Sequence, residues 1–204
     1  MDRIKIALTA FVTLALAGCA TTLPPTGPVT VTRFHIDQPP AMSDVALEPR
    51  PGADPQSLEF QSDLPPIATE LSRLGFHVVA PGSTSPLVAI VDVTRQSRPG
   101  PPRHSPVTIG IGGGFGGGGW HSGGGVGGGV AFPVGGEAGP DIVGTQLSIQ
   151  LKRRSDGTVV WEGRAFMEAR ADVPQSSPDA AIARLASALF QGFPGESGRT
   201  ITVK

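Results

Sequence analysis

Thr145-Gln-Leu-Ser-Ile-Gln-Leu151 alternates without a break, with Leu147, Ile149 and Leu151 on one side and Gln146, Ser148 and Gln150 on the other. Strand side chains point to opposite faces in turn, so this is a strand with one face buried and one in water, the usual state of an antiparallel sheet. Ser155-Asp156-Gly157 supplies turn residues, and 158–167 (TVVWEGRAFM) reads as the returning strand. In that strand Trp161 is expected on the core face, with Gly163 allowing a close approach or a bulge. Lys152, Arg153 and Arg154 beside the turn read as a solvated strand end, with contact to lipid headgroups as the alternative.

Working outward from this hairpin, two helices are expected. The first has Asp63 as N-cap, Pro65 and Pro66 in its first turn and Gly75 at its end. Leu64, Ile67, Ala68, Leu71 and Leu74 recur at helical spacing and form its apolar stripe. The second opens at Ser177-Pro178-Asp179, carries Ile182, Leu185, Ala186 and Leu189 on one stripe, and is stopped by Gly192 and Pro194. Residues 87–93 (LVAIVDV) are apolar and β-branched, which suits a central strand, and 76–79 (FHVV) suits a short one. Residues 29–36 (VTVTRFHI) read as the first strand, with Phe34 and Ile36 on the core face, Val29, Val31 and Arg33 on the other, and His35 pointing outward. Residues 37–62 read mostly as loop, with a short extended piece at 58–60, and the tail 195–204 reads as loose. The fold class is therefore α+β: an antiparallel β-sheet with two helices packed on one face and a glycine-rich insertion between strands.

The insertion is 110–129, where 14 of 20 positions are glycine, punctuated by Phe115, Trp120 and His121 among others. Ordering so much glycine costs conformational entropy, which points to a loop or a long hairpin. Formal matches to G-x-G-x-x-G begin at Gly112, but no strand-then-helix context surrounds them, so they do not indicate nucleotide binding. Phe115, Trp120 and His121 form a possible contact loop for a ligand or a membrane surface, set against the simpler expectation that they fold back on the domain.

The N-terminus carries a different message. Arg3 and Lys5 precede an apolar run from Ile6 to Leu16, about half the length needed to span a ~30 Å hydrocarbon layer. Leu16-Ala17-Gly18-Cys19 follows, and Cys19 is the chain's only cysteine. The pattern resembles a bacterial lipobox: signal cleavage between Gly18 and Cys19, and acylation of Cys19 that anchors the chain in the membrane. A lone cysteine excludes an internal disulfide. Ala20, where sorting signals for the inner membrane would place aspartate, points to the outer membrane with the domain facing the periplasm. The expected organisation is a signal peptide 1–18, a lipidated Thr/Pro-rich tether 19–28, one domain 29–194 and the tail 195–204.

Composition narrows the function. The chain has 16 basic and 17 acidic residues, and removal of 1–18 leaves 14 and 16, a net charge of −2 with no basic stripe, which argues against nucleic acid. Glycine (29) and proline (21) make up about a quarter of the 204 residues, yet they are concentrated, so the remainder suffices for one domain with a core. His35, His77, His104 and His121 fall in four separate elements without metal-ligand spacing, so no metal and no cofactor is expected. There is no G-x-S-x-G and no S-x-x-K, so no catalytic residue is assigned. Glu162 and Glu168 lie on one strand and share a face. A pair of carboxylates is what a glycosidase uses, but a polar strand face is the simpler reading.

With these elements placed, the chain resembles the domain of unknown function 4136 lipoproteins of bacteria. The resemblance rests on the lipobox, Ile67…Leu71…Leu74-Gly75-Phe76, the strand 87–93, the glycine-rich middle, Gly144 to Leu151, Val159-Val-Trp-Glu-Gly163 and Ile182…Leu189-Phe190…Phe193-Pro194. It departs from that family in lacking tyrosine in the first strand and in having Ser85-Pro86 before the apolar strand. It implies a fold without implying an activity. The function expected is that of a membrane-anchored envelope lipoprotein acting as a non-catalytic binding or structural module for an envelope protein or cell-wall partner. The alternatives are an envelope hydrolase whose residues converge only in space, and a structural protein that uses the glycine-rich loop as a spacer.

Overall fold

The computed structural model describes residues 24–36, 40–102, 108–110, 131–133 and 138–204. Its elements run β1 (Val29–His35), β2 (Asp44–Pro49), α1 (Leu58–Arg73), β3 (His77–Val79), β4 (Leu87–Gly100), β5 (Thr108–Gly110), β6 (Ala131–Pro133), β7 (Gly139–Arg153), β8 (Val159–Arg170), a 3-10 turn (Pro174–Ser176), α2 (Pro178–Phe190) and β9 (Thr200–Val203). The seven-stranded sheet has the order β3-β2-β4-β7-β8-β1-β9, and β5 and β6 pair apart from it.

The fold is α+β with two helices, as expected, but the sheet is mixed. β2 lies parallel to both β3 and β4, while every other pairing in the large sheet is antiparallel. The parallel strand is the one missed in 37–62, where prolines and weak alternation suggested a loop. Val45, Ala46 and Leu47 are all buried, so β2 shows no alternation to detect. The glycine-rich stretch 110–129 lies outside the described residues except for Gly110, which ends β5.

The hairpin that decides the fold forms as its pattern requires. β7 and β8 pair from Ile142↔Arg170 to Leu151↔Trp161, and Leu147, Ile149, Leu151 and Trp161 are fully buried. A bulge follows: Lys152 faces Val159, which leaves Val160 as an extra, buried residue. Gly163 is needed for packing, since a Cβ there would come within 2.8 Å of the Leu189 side chain and closer still to the Trp161 ring. Trp161 stacks on Phe190 at 5.6 Å and donates its indole N–H to the Pro194 carbonyl (3.0 Å). The two helices pack on each other and over the sheet face built from Val31, Leu47, Ala89, Ile149 and Ala165.

In β1 the buried face is the opposite of the one expected. Val29, Val31 and Arg33 are buried, while Phe34 and Ile36 are 47% and 45% exposed. The reason is a use for a buried cation at the end of α2. Arg33 donates from Nε to the Leu189 carbonyl (2.8 Å) and from Nη2 to those of Ala188 and Gln191 (both 2.9 Å). The last four carbonyls of a helix lack intrahelical donors. Here Ser187 and Phe190 receive the backbone N–H groups of Gln191 and Phe193, and Arg33 serves the two between them. A positive charge at this negative helix end is favourable, which offsets the burial that pulls the guanidinium below its usual pKa.

Helix α1 begins earlier than its prolines suggested. Ser57 is the N-cap, accepting the Phe60 N–H at 3.2 Å, and 58–60 is helical, not extended. Asp63 is thus no cap but a buried side chain inside the helix, which runs on through Pro65 and Pro66. Ile67 and Leu71 are buried and Leu64, Ala68 and Leu74 pack against the core, as the stripe requires. Gly75 closes the helix with φ +99°. Helix α2 starts after Ser177 with Pro178 in its first turn, although the Ser177 side chain makes no capping bond.

Both chain ends differ from expectation. The tail holds β9, which pairs with β1 from Val29↔Val203 to Thr32↔Thr200, so 195–204 is not loose. The stretch taken as a tether is caught before Pro28. The Arg170 N–H bonds the Pro25 carbonyl (2.9 Å), Thr26 bridges Ala169, and the Gly27 N–H bonds the Glu168 carbonyl (2.8 Å).

Candidate functional site

Two places gather polar groups beyond what the fold needs. The larger is the sheet face that the helices leave open. The side chains there are the alternate set on each strand: Thr94, Gln96 and Arg98 from β4, Gln146 and Ser148 from β7, and Glu162, Arg164, Phe166 and Glu168 from β8. Gly144 interrupts the β7 row. Its missing side chain leaves a cleft of about 270 Å³ floored by backbone and walled by Phe166, Gln96, Gln146 and the Arg98–Glu168 pair. Phe166, 41% exposed, lies over the glycine: a Cβ on Gly144 would meet its ring at 3.2 Å. Arg98 reaches Glu168 at 3.1 Å from two strands away, across β7 at the position where β7 has no side chain.

Most charges on this face are paired. Arg50 meets Asp92 at 3.2 Å, Arg154 meets Glu48 at 2.7 Å, and Glu162 holds both Arg164 and the Gln150 amide. Glu162 and Glu168 do share the face, but six residues at ~3.3 Å each put about 20 Å between them along the strand. Paired carboxylates of a glycosidase stand roughly 5–9.5 Å apart, so these two do not form such a pair.

The second place lies on the covered side, where α1, β4 and the start of α2 meet. Asp63 is 5% exposed, has no hydrogen-bond partner shown among the described residues, and lines a cleft of about 160 Å³ together with Ser57, Glu59, Asp92 and Val93. Burial pushes its carboxyl up to about 6, the charge of Glu59 adds to the rise, Arg95 opposes it, and Asp179 adds a further push. Arg95 donates from Nη2 to the Ser176 carbonyl (2.7 Å), and its Nη1 is buried without a hydrogen-bond partner among the described residues. No sequence motif marked this cluster. The only sign was an aspartate at a helical position whose neighbours one turn on are core residues.

The residues singled out from the sequence fall elsewhere. Gly18, Cys19, Phe115, Trp120, His121 and His104 lie outside the described residues. The ring nitrogens of His35 lie 2.8 Å from the Ile36 carbonyl and 3.1 Å from the Gly195 carbonyl, while His77 meets Asp44 at 3.1 Å toward the other edge of the sheet, so the two histidines are engaged separately. Among the described residues no group of three or more His, Cys, Asp or Glu side chains is placed to hold a metal ion, and no helix is long and apolar enough to cross a membrane.

Comparison with known proteins adds one relative. The uncharacterized protein ZMO1243 of Zymomonas mobilis is 34% identical over 230 residues, covering 95% of this chain and 87% of that protein. The chain belongs to the family of that protein. Membership in the Zymomonas family carries shared ancestry and fold, and function has to be argued from the sites. No family model matches the sequence. Among solved structures, a PDZ domain protein from Parabacteroides distasonis aligns with a TM-score of 0.47 at 12% identity, over 87% of this chain and 38% of that one. The PelC dodecamer from Paraburkholderia phytofirmans aligns with a TM-score of 0.38 at 16% identity, over 78% of this chain and 95% of that one. Neither likeness is close enough to carry fold or function across.

Proposed function

We propose that the chain is an envelope lipoprotein, cleaved behind Gly18, acylated on Cys19 and held in the outer membrane with its domain facing the periplasm. The observation that carries this reading is the run Ile6 to Leu16 ending in Leu-Ala-Gly-Cys, with the chain entering the sheet only six residues after the cysteine. Several acyl chains, at about 0.8 kcal/mol per buried methylene, make a lasting anchor. The resemblance to the domain of unknown function 4136 lipoproteins supports the same reading. The domain serves as a non-catalytic module that binds or supports another envelope component. Its contact surface is the open sheet face around Gly144 and Phe166, where an exposed ring sits beside amides and an ion pair. Support for binding over catalysis comes from the charges of that face, which are spread along the strands in pairs and do not converge on one point.

Intact mass and membrane fractionation of the native protein beside a Cys19→Ser variant test the anchor. Acyl mass on the first and release of the second from the membrane are expected; an unmodified protein that is soluble in both forms would overturn it. A photo-crosslinking residue in place of Gln146, in intact cells, should recover one reproducible envelope partner, and its absence would remove the binding role.

One observation favours a second reading, an envelope hydrolase. An acid held near 6 beside a cleft is what general acid catalysis requires, and Asp63 fits that description. Hydrolysis of cell-wall material by the purified domain, lost in Asp63→Asn, would establish that reading.

A further inference from the structure

The end of the sheet at which the N-terminal segment enters is unlike the rest of the surface. Pro24, Pro25 and Pro28 pack there beside Pro101 and Ile142, around a cleft of about 240 Å³ whose charged groups are Arg98, Glu168 and Arg170. These charges are compensated, Arg98 by Glu168 and Arg170 by Asp172. Proline has no backbone N–H, so a proline-lined surface loses few donors when water is displaced from it. β4 ends here and β7 begins here, since Gly100 pairs with Gly139, so the chain also leaves for β5 and β6 from this end.

Chain length decides how this end can lie. From Cys19 to the Pro25 carbonyl that is bonded to Arg170 is six residues, at most about 22 Å when fully extended. β7 is 15 residues long, about 50 Å at ~3.3 Å per residue. With Cys19 at the bilayer surface, Pro25 is never more than about 22 Å above it. The inverted orientation, with the turn 154–157 on the membrane, would need roughly twice that reach. We propose that the proline-lined end bearing Pro24, Pro25, Pro28, Pro101 and Ile142 rests on the lipid headgroups, and that the β7–β8 turn points away from the membrane. The proposal rests on acylation of Cys19. It goes beyond it in naming the docking surface and its partner, a phospholipid bilayer. The cleft over Gly144, which shares Arg98 and Glu168 with this end, then opens sideways just above the headgroups.

The sole native cysteine is consumed by the lipid, so one added cysteine can be labelled alone. The test uses the acylated full-length protein in vesicles of phosphatidylethanolamine and phosphatidylglycerol, with a fluorophore on Pro101→Cys or, as a second variant at an exposed neighbour, Pro102→Cys, compared with Ser155→Cys. Quenching by headgroup-nitroxide lipid should be at least threefold stronger at 101 and 102 than at 155. Inserting twenty glycine and serine residues after Thr22 removes the length limit but keeps the surface, so the difference should persist in weakened form. Acylated protein that shows equal quenching at both ends, or stronger quenching at 155, overturns the orientation and leaves the anchor standing. Loss of all difference in the insertion variant overturns the claim that the surface itself meets lipid. Protein whose mass shows no acyl groups overturns the anchor, and the orientation with it.

Discussion

The two faces of strand β8 obey opposite rules. Trp161, Gly163, Ala165, Met167 and Ala169 turn toward the helices and are chosen by shape: a ring, a gap for the ring, and side chains that fill the space under α2. Glu162, Arg164, Phe166, Glu168 and Arg170 turn outward, where each charge has a partner and the phenyl ring covers a glycine. The covered face carries the stability, because close packing penalises any change of volume there. On the open face exposed ion pairs contribute little, so it is free to vary with whatever it contacts. The lesson is that the packed core and the solvent-facing ion pairs are separated by a single residue step along one strand.

This contrast can be broken most forcefully at Trp161. Trp161→Ala removes a fully buried ring, its stacking on Phe190 and its bond to Pro194, and should cost about 3–5 kcal/mol in urea denaturation. Next comes the charge that the covered face holds against the end of α2. Arg33→Met leaves the carbonyls of Ala188 and Leu189 without donors and should cost about 3 kcal/mol; Arg33→Lys should recover only part of this, because an ammonium cannot span both carbonyls as the fork does.

Asp63 sharpens the comparison through pH. Its carboxyl sits near 6 in the fold against about 3.9 in the unfolded chain, so the native state binds more protons in that interval. The stability it contributes is present below about pH 4 and lost as pH rises through about 6. Asp63→Asn should flatten that slope and, above pH 6, leave the variant more stable than the native chain by on the order of 1 kcal/mol, as followed by denaturation at a series of pH values. Smallest of all, Glu168→Gln on the open face breaks an ion pair whose partners are 59% and 41% exposed. It should change stability by no more than about 0.5 kcal/mol while altering crosslinking at Gln146, which reads the face and not the core.

How far the sequence could be read follows the same division. The β7–β8 hairpin was legible because leucine and isoleucine alternate with glutamine and serine, and Trp161 and Gly163 were legible because a large residue and a glycine two apart imply one packing into the space of the other. β1 was misread because Phe34 and Ile36 outweigh Val29 and Val31 in apolarity, and nothing local says that Arg33 will meet a helix end more than 150 residues later. β2 was missed because a parallel strand buried on both faces has no period, and its prolines argued for a loop. Asp63 looked like a cap because it stands just ahead of two prolines, although Ser57 had already opened the helix. Of the sites, the Gly144 cleft had a faint signal, a glycine inside a strand, which often marks a place where something else approaches. The Asp63 cluster had no motif, only an aspartate at a helical position beside core residues, since its members come from α1, β4 and the start of α2.

The bonds from Arg33 to the end of α2 also bear on the order in which the molecule is assembled. β1 lies between β8 and β9 in the sheet, so it is paired on both edges only after β9 has emerged, and β9 has no place until β1 is docked. Until β1 docks on β8, helix α2 lacks the donors for two of its carbonyls, and β9 has no strand to pair with. Joining positions so far apart in the chain carries a loop-closure penalty that local pairs such as β7–β8 escape, and it slows the final step. The β7–β8 hairpin can therefore form early, while closure of the domain waits for both ends of the chain to be present together.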